Sequence, residues 1–209
     1  MQVFLKIING TIDTTTNITQ YKKEKGNGYE KFRRLAKIIN AIQHNISKSK
    51  LYLSFDIEEY EQNKKLITEI GWCIFKKDGT IRKKKHAIVK ENIDCRNTKK
   101  KQDNKDNYLF GESDVQELKV IEEELRKDVE KVSYLVSHGI GKNDIRYLKS
   151  IKVNITRFIK MKGSKVPHCG LIDTMDLYAG LFNSKGVNLE KSLTDLEIPF
   201  DKLYNAGKY

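Results

Sequence analysis

The chain has 209 residues, which allows one or at most two domains and a core that needs neither disulfides nor a structural metal. Lys and Arg number 40 against 28 Asp and Glu, so the formal net charge is +12, a field that draws polyanions such as nucleic acid. Hydrophobic residues make up 38%, and no apolar run approaches the roughly 18 residues of a membrane span, which excludes wholesale disorder and a transmembrane helix.

The opening stretch Met1 to Asp13 turns polar too quickly for a secretory leader, and Thr11 to Asn27 is rich in Thr, Lys, Asn and Gly without periodicity. Residues 1–28 are therefore expected to form a flexible arm. Phe32, Leu35, Ile38, Ile39 and Ile42 recur at helical spacing, which predicts a lead-in helix within residues 29–50. Leu51 to Asp56 alternates large apolar residues with others and reads as a strand. A second strand is expected over Ile67 to Phe75, a hairpin turn at Lys77-Asp78-Gly79-Thr80, and a third strand over Ile81 to Val89, basic in the manner of an exposed edge. Glu91 to Asn107 reads as a long charged loop. Ser113-Asp114-Val115-Gln116 has the spacing of a capping box and predicts a helix through about Val129. Beyond it come a short buried strand at Val132 to Val136, a helix at Lys142 to Lys149 and a strand ending at Leu171-Ile172-Asp173. Two more helices are expected, Met175 to Phe182 and Asn188 to Leu196, the latter stopped by Pro199. This order describes an α/β domain whose sheet mixes an antiparallel hairpin with parallel strands. Cys73, Cys95 and Cys169 are odd in number and lack a CxxC pair, so a reduced chain without disulfides or zinc is expected, located in cytoplasm or nucleus.

The chemistry concentrates in a few acids. Asp56 and Glu58 lie two apart at the end of an apolar strand, so both carboxylates share one face. Their mutual repulsion falls if a divalent cation binds between them; equally, they begin an acidic loop with Glu59 and Glu61. Asp144 follows a strand and a His138-Gly139 turn. It can reach across to that pair, or simply favour the helix dipole in a first turn. Asp173-Thr174 fits an N-cap. Lys83, Lys84, Lys85, Lys99, Lys100 and Lys101 form the candidate nucleic-acid-binding set.

The Asp-x-Glu pair with Ile67-Thr68-Glu69-Ile70-Gly71, the Leu135 to Leu148 stretch around His138 and Asp144, and the Leu196 to Tyr209 end together resemble the ribonuclease-H-like exonucleases that use four acidic residues, the DEDD superfamily. Asn107 to Ser113 and the Leu196 to Gly207 stretch look like a fungal branch of that superfamily linked to mRNA export. The resemblance implies a mixed sheet flanked by helices over residues 51–209, C-terminally truncated. It also implies a 3′–5′ exonuclease site in which carboxylates hold two Mg²⁺ or Mn²⁺ ions about 3.5–4 Å apart. Residue by residue, Asp56, Glu58 and Asp144 match the metal ligands, and Tyr204 stands where a residue of the third motif orients the attacking water. That motif departs from the family. Its His and Asp positions hold Tyr204 and Tyr209, and Lys208 precedes the latter. Tyrosine, with a reference pKa of about 10, does not replace a carboxylate ligand at neutral pH. The implied function is a nucleic-acid-binding protein with an exonuclease fold and impaired catalysis. The alternative is an active metal-dependent 3′–5′ exonuclease on single-stranded RNA or DNA, with Mg²⁺ or Mn²⁺ as its cofactor. The expected partner is single-stranded nucleic acid rather than a membrane.

Overall fold

A computed structural model describes residues 1–10, 27–98, 103, 105, 108, 111–139, 142–182 and 184–200, with backbone alone at 27–32, 142 and 143. Seven strands form one sheet: β1 Leu51–Tyr60, β2 Asn63–Lys76, β3 Ile81–Val89, β4 Asp114–Gln116, β5 Tyr134–Ser137, β6 Ile159–Lys160 and β7 Gly170–Asp173. Their order is β4-β3-β2-β1-β5-β7-β6. The three long strands form an antiparallel meander, while β5 runs parallel to β1 and β7 parallel to β5. This is the mixed sheet flanked by helices that the sequence predicts.

The helices are α1 Gln2–Asn9, α2 Asn27–Asn45, α3 Leu118–Lys131, α4 Lys142–Ser150, α5 Thr174–Phe182 and α6 Leu189–Asp195. Side-chain alternation along the strands splits the core in two. Tyr52, Cys73, Phe75, Tyr134, Val136 and Ile172 face one way, against α1, α2, α5 and α6. Leu53, Trp72, Ile74, Ala87 and Leu135 face the other way, against α3 and α4. Phe4 of α1 is fully buried on Tyr52 and Phe75, with ring centroids 5.1 and 5.8 Å apart.

Several elements differ from expectation for physical reasons. Gln2–Asn9, assigned to a flexible arm, is a helix because Val3, Phe4, Ile7 and Ile8 fall on one buried face; residues 11–26 of that arm lie outside the described residues. The capping box is not formed. Ser113 Oγ instead bonds His86 Nδ1 at 2.7 Å, and Asp114–Gln116 pair with Ala87–Val89 as β4. So β3 is an edge only in its basic half. The first N–H of α3, at Leu118, donates to Glu91 Oε1 and Oε2, both at 3.1 Å, which places a carboxylate at the positive helix end. Helix α6 stops at Asp195, earlier than Pro199 demands. Glu197 takes the left-handed conformation at φ 53, and Ile198 N donates back to Leu193 O at 2.9 Å. The hairpin turn forms as expected. Gly79 supplies the positive φ of 90, Lys76 N donates to Thr80 O at 2.9 Å, and Thr80 N donates to Asp78 Oδ1 at 2.9 Å.

Candidate functional site

The parallel registers define a rim. Ser54 pairs with Val136, and Ser137 pairs with Asp173. Two residues further along β1, Asp56 is therefore level with His138, and His138 with Thr174. The carboxyl ends of β1, β5 and β7 thus meet at one edge, where α/β sheets place ligand crevices. Glu58 continues β1 on the face of Asp56, about 7 Å along the strand. Asp144 lies in the first turn of α4, which follows β5 over the same rim. However, α4 buries Leu148 among the residues of the α3 side, opposite the face that carries Asp56 and Glu58.

The turn at this rim is tightly bonded. His138 Nε2 donates to Val187 O at 2.9 Å, and its Nδ1 lies 2.9 Å from Thr174 Oγ1. Burial pulls the His138 pKa below its ordinary value, against the bond to Val187 O and the nearby Asp173 charge, which raise it. Asp173 Oδ1 accepts from Met175 N at 3.0 Å, the N-cap that the sequence suggests, and also from Gly139 N at 2.8 Å. The start of α1 reaches the same neighbourhood. Cys73 Sγ lies 3.7 Å from Met1 Sδ, and burial lowers the Met1 amine to about 6, opposed by the Cys73 and Asp56 charges.

A second polar group adjoins the pair on the same face. Glu69, directly across from Glu58, accepts from His86 Nε2 at 2.9 Å, and Tyr108 stacks on the His86 ring with centroids 4.0 Å apart. Nothing in the local spacing announces this group; only the β2–β3 register brings Glu69 and His86 together.

The basic set divides. Lys83 donates to Glu124 at 2.8 Å and also bonds Asp128, while Lys85 bonds Asp114 at 2.5 Å and lies 3.4 Å from Glu124. Strand alternation turns these two toward the acids of α3, while Lys84 stands exposed on the other face. Lys99, Lys100, Lys101, Tyr204 and Tyr209 lie outside the described residues.

Among the described residues no three His, Cys, Asp or Glu side chains come together to hold a metal ion. Carboxylate oxygens such as those of Asp56 and Glu58 are the hard donor type that Mg²⁺ or Mn²⁺ takes.

The match to known proteins follows this geometry. A family described as DNA polymerase III subunit epsilon-like, C-terminal domain (DEDDh_C) matches residues 51–208. This chain belongs to the DEDDh exonuclease-like family. It is similar to three fungal proteins. Uncharacterized protein YDR514C of Saccharomyces cerevisiae is 28% identical over 86% of this chain and 42% of its own length. Good for full DBP5 activity protein 2 of the same yeast is 29% identical over 73% of this chain and 32% of its own length. Uncharacterized nucleolar protein C2C4.08 of Schizosaccharomyces pombe is 29% identical over 75% of this chain and 63% of its own length. The chain thus spans less than two thirds of each of these relatives. Among its described residues no helix is long and apolar enough to cross a membrane.

Proposed function

We propose that this DEDDh-family chain is a single-stranded nucleic-acid-binding protein whose hydrolytic activity is impaired. The observation that carries the reading is that Tyr204 and Tyr209 stand where the family resemblance puts the third-motif His and Asp. A divalent ion bound by Asp56 and Glu58 would supply positive charge to a phosphate oxygen. A single ion does not stabilise both the attacking and the leaving oxygen, which is what the two-ion arrangement does. The chain's own contribution is the rim. His138 and Asp173 fix the β5–α4 turn, and α4 brings Asp144 over the same edge. The +12 net charge supports a polyanionic partner, and the likeness to a nucleolar protein supports a nuclear location.

The shared face of Asp56 and Glu58, with Asp144 at the same rim, favours a second reading: an active metal-dependent 3′–5′ exonuclease on single-stranded RNA or DNA. One experiment separates the two. A 3′-labelled single-stranded oligonucleotide is mixed with the protein and Mn²⁺, and both fluorescence anisotropy and product length are followed. Binding without shortening supports impaired catalysis. Shortening that Asp56→Ala abolishes establishes the second reading, and absence of binding refutes both.

A further inference from the structure

Between Asp144 and Asp173 the chain contains no Asp or Glu, yet it contains seven Lys or Arg. This stretch runs from α4 through β6 to β7 and forms the sheet edge opposite β4. Two of its cations are spent on the fold. Arg157 Nη2 donates to Val129 O at 2.6 Å, Glu130 O at 3.1 Å and Val132 O at 2.8 Å, which closes the C-terminal end of α3. Lys160 pairs with Asp176 of α5 at 2.8 Å. Lys149, Lys152, Lys162 and Lys165 are exposed, and none of them pairs with a carboxylate among the described residues. Lys83 and Lys85 differ in this respect, since they lie against Glu124, Asp128 and Asp114.

The strip ends in a built turn. Lys162 and Lys165 form an antiparallel bridge around Gly163 and Ser164, with Gly163 at a φ of 63. Residues directly opposite in such a pair have Cβ atoms about 5 Å apart, and like charges in that position repel. A phosphate between the two ammonium groups would offset that repulsion through charge-assisted hydrogen bonds. The register places the turn. Lys160 pairs with Leu171, and β6 runs parallel to β7, so Lys162 is level with Asp173. The turn therefore stands at the rim of Asp56, three strands away across β5 and β7, or about 14 Å at the usual strand spacing. Lys149 and Lys152 lie farther back, because α4 starts at the rim and the parallel crossover leads away from it to the start of β6.

We propose that the α4–β6 edge is a docking surface for single-stranded nucleic acid, with the Lys162–Lys165 turn gripping the phosphate backbone beside the carboxylate rim. The inference deepens the nucleic-acid-binding reading above and rests on it. It adds to the lysines of β3 a contact on an edge that the motifs do not mark. Anionic lipid is the competing occupant, since Ile159 is 61% exposed within the strip. The place of the turn favours the nucleic acid, because that rim is where an exonuclease-like fold receives a strand.

The test follows the fluorescence anisotropy of a labelled single-stranded oligonucleotide as NaCl is raised, for the full chain and two double variants of equal charge. Lys162→Ala with Lys165→Ala strips the turn. Lys119→Ala with Lys127→Ala removes two exposed cations from α3, where acids surround them. The first pair is expected to weaken binding about tenfold and to make the salt slope shallower by about 1.4, two phosphates at about 0.7 each. The second pair is expected to change neither. Melting curves check folding; if the first pair does not fold, Lys149→Ala with Lys162→Ala is read in its place. Equal losses from both pairs, or an unchanged slope in the first, overturn the inference and leave the nucleic-acid reading standing. A wild type that binds no oligonucleotide overturns that reading and the inference with it. Capture of phosphatidylserine vesicles that the first pair abolishes, with oligonucleotide affinity unchanged, assigns the edge to lipid and also overturns the inference.

Discussion

Asp128 is only 2% exposed at its side chain, yet it is ionised by design of its surroundings. Burial pushes its carboxyl pKa up, but bonds from Lys131, Lys83 and the Trp72 indole outweigh that and hold it below the ordinary range. Asp128→Ala would leave the buried Trp72 Nε1 unbonded and Lys83 half-paired. A destabilisation of about 3 kcal/mol is expected, measured by urea unfolding; a loss below about 0.5 kcal/mol would show the cluster to be incidental. The same geometry sorts the lysines. Lys84→Ala should weaken single-stranded oligonucleotide binding and make the salt slope shallower by about 0.7. Lys83→Ala should leave that slope unchanged, since its charge is already matched by α3. Equal effects from both would refute the division. A run of lysines in the sequence reads as one patch; alternation on a strand, visible only once the partners of each face are known, splits it. His138 adds a pH dependence. Its folded pKa is lowered below the unfolded value of about 6.5, so the unfolded chain binds protons more readily. Its contribution is therefore complete above about pH 6.5 and is lost as pH falls through the folded value. Unfolding midpoints of the wild type should drop more steeply between neutral pH and pH 5 than those of His138→Gln, and parallel profiles would contradict the assignment.

The elements show where sequence periodicity carries weight and where it does not. The strands β1, β2 and β3 were legible because long alternating runs have few other interpretations. β4 and β6, of three and two residues, were not legible. Their extension comes from pairing with β3 and β7 and not from their own composition. Helix α1 carried a readable apolar stripe, but its polar continuation masked it. Its removal from the core should be costly. Phe4→Ala empties a fully buried aromatic site and is expected to lower stability by about 3–4 kcal/mol, read as a fall in melting temperature. A near-neutral result would mean that α1 docks only weakly. Helices α2 and α5 approach closely at Gly180, where an added Cβ would lie 2.8 Å from the backbone carbonyl carbon of Leu35. Alanine is the better helix former by about 1 kcal/mol, yet Gly180→Ala should destabilise, because the α2 backbone cannot yield as a flexible side chain would. An increase in melting temperature would show that the two helices are free to separate.

For the whole molecule, the sequence order of the motifs was enough to anticipate a mixed sheet, because parallel crossovers return successive strands to the same end. It was not enough to give the layer from which each acid arrives. That depends on the packing of α4 against α3, which no local pattern encodes. Nor did it reveal the hydrogen bonds of the Asn97 side chain, which reach 36 and 38 positions back to Glu61 N and Glu59 O and show no spacing signature. The proposed impairment lies in the third motif, so that motif is where activity should be restorable. The decisive measurement is the rate at which 3′-labelled single-stranded RNA is shortened in Mn²⁺ by the wild type and by the Tyr204→His, Tyr209→Asp double variant. Background shortening by the wild type is expected, with a gain of about 100-fold or more in the double variant, in line with the several kcal/mol that a restored metal ligand and base supply. Brisk shortening by the wild type that Asp56→Ala abolishes would contradict the proposed impairment.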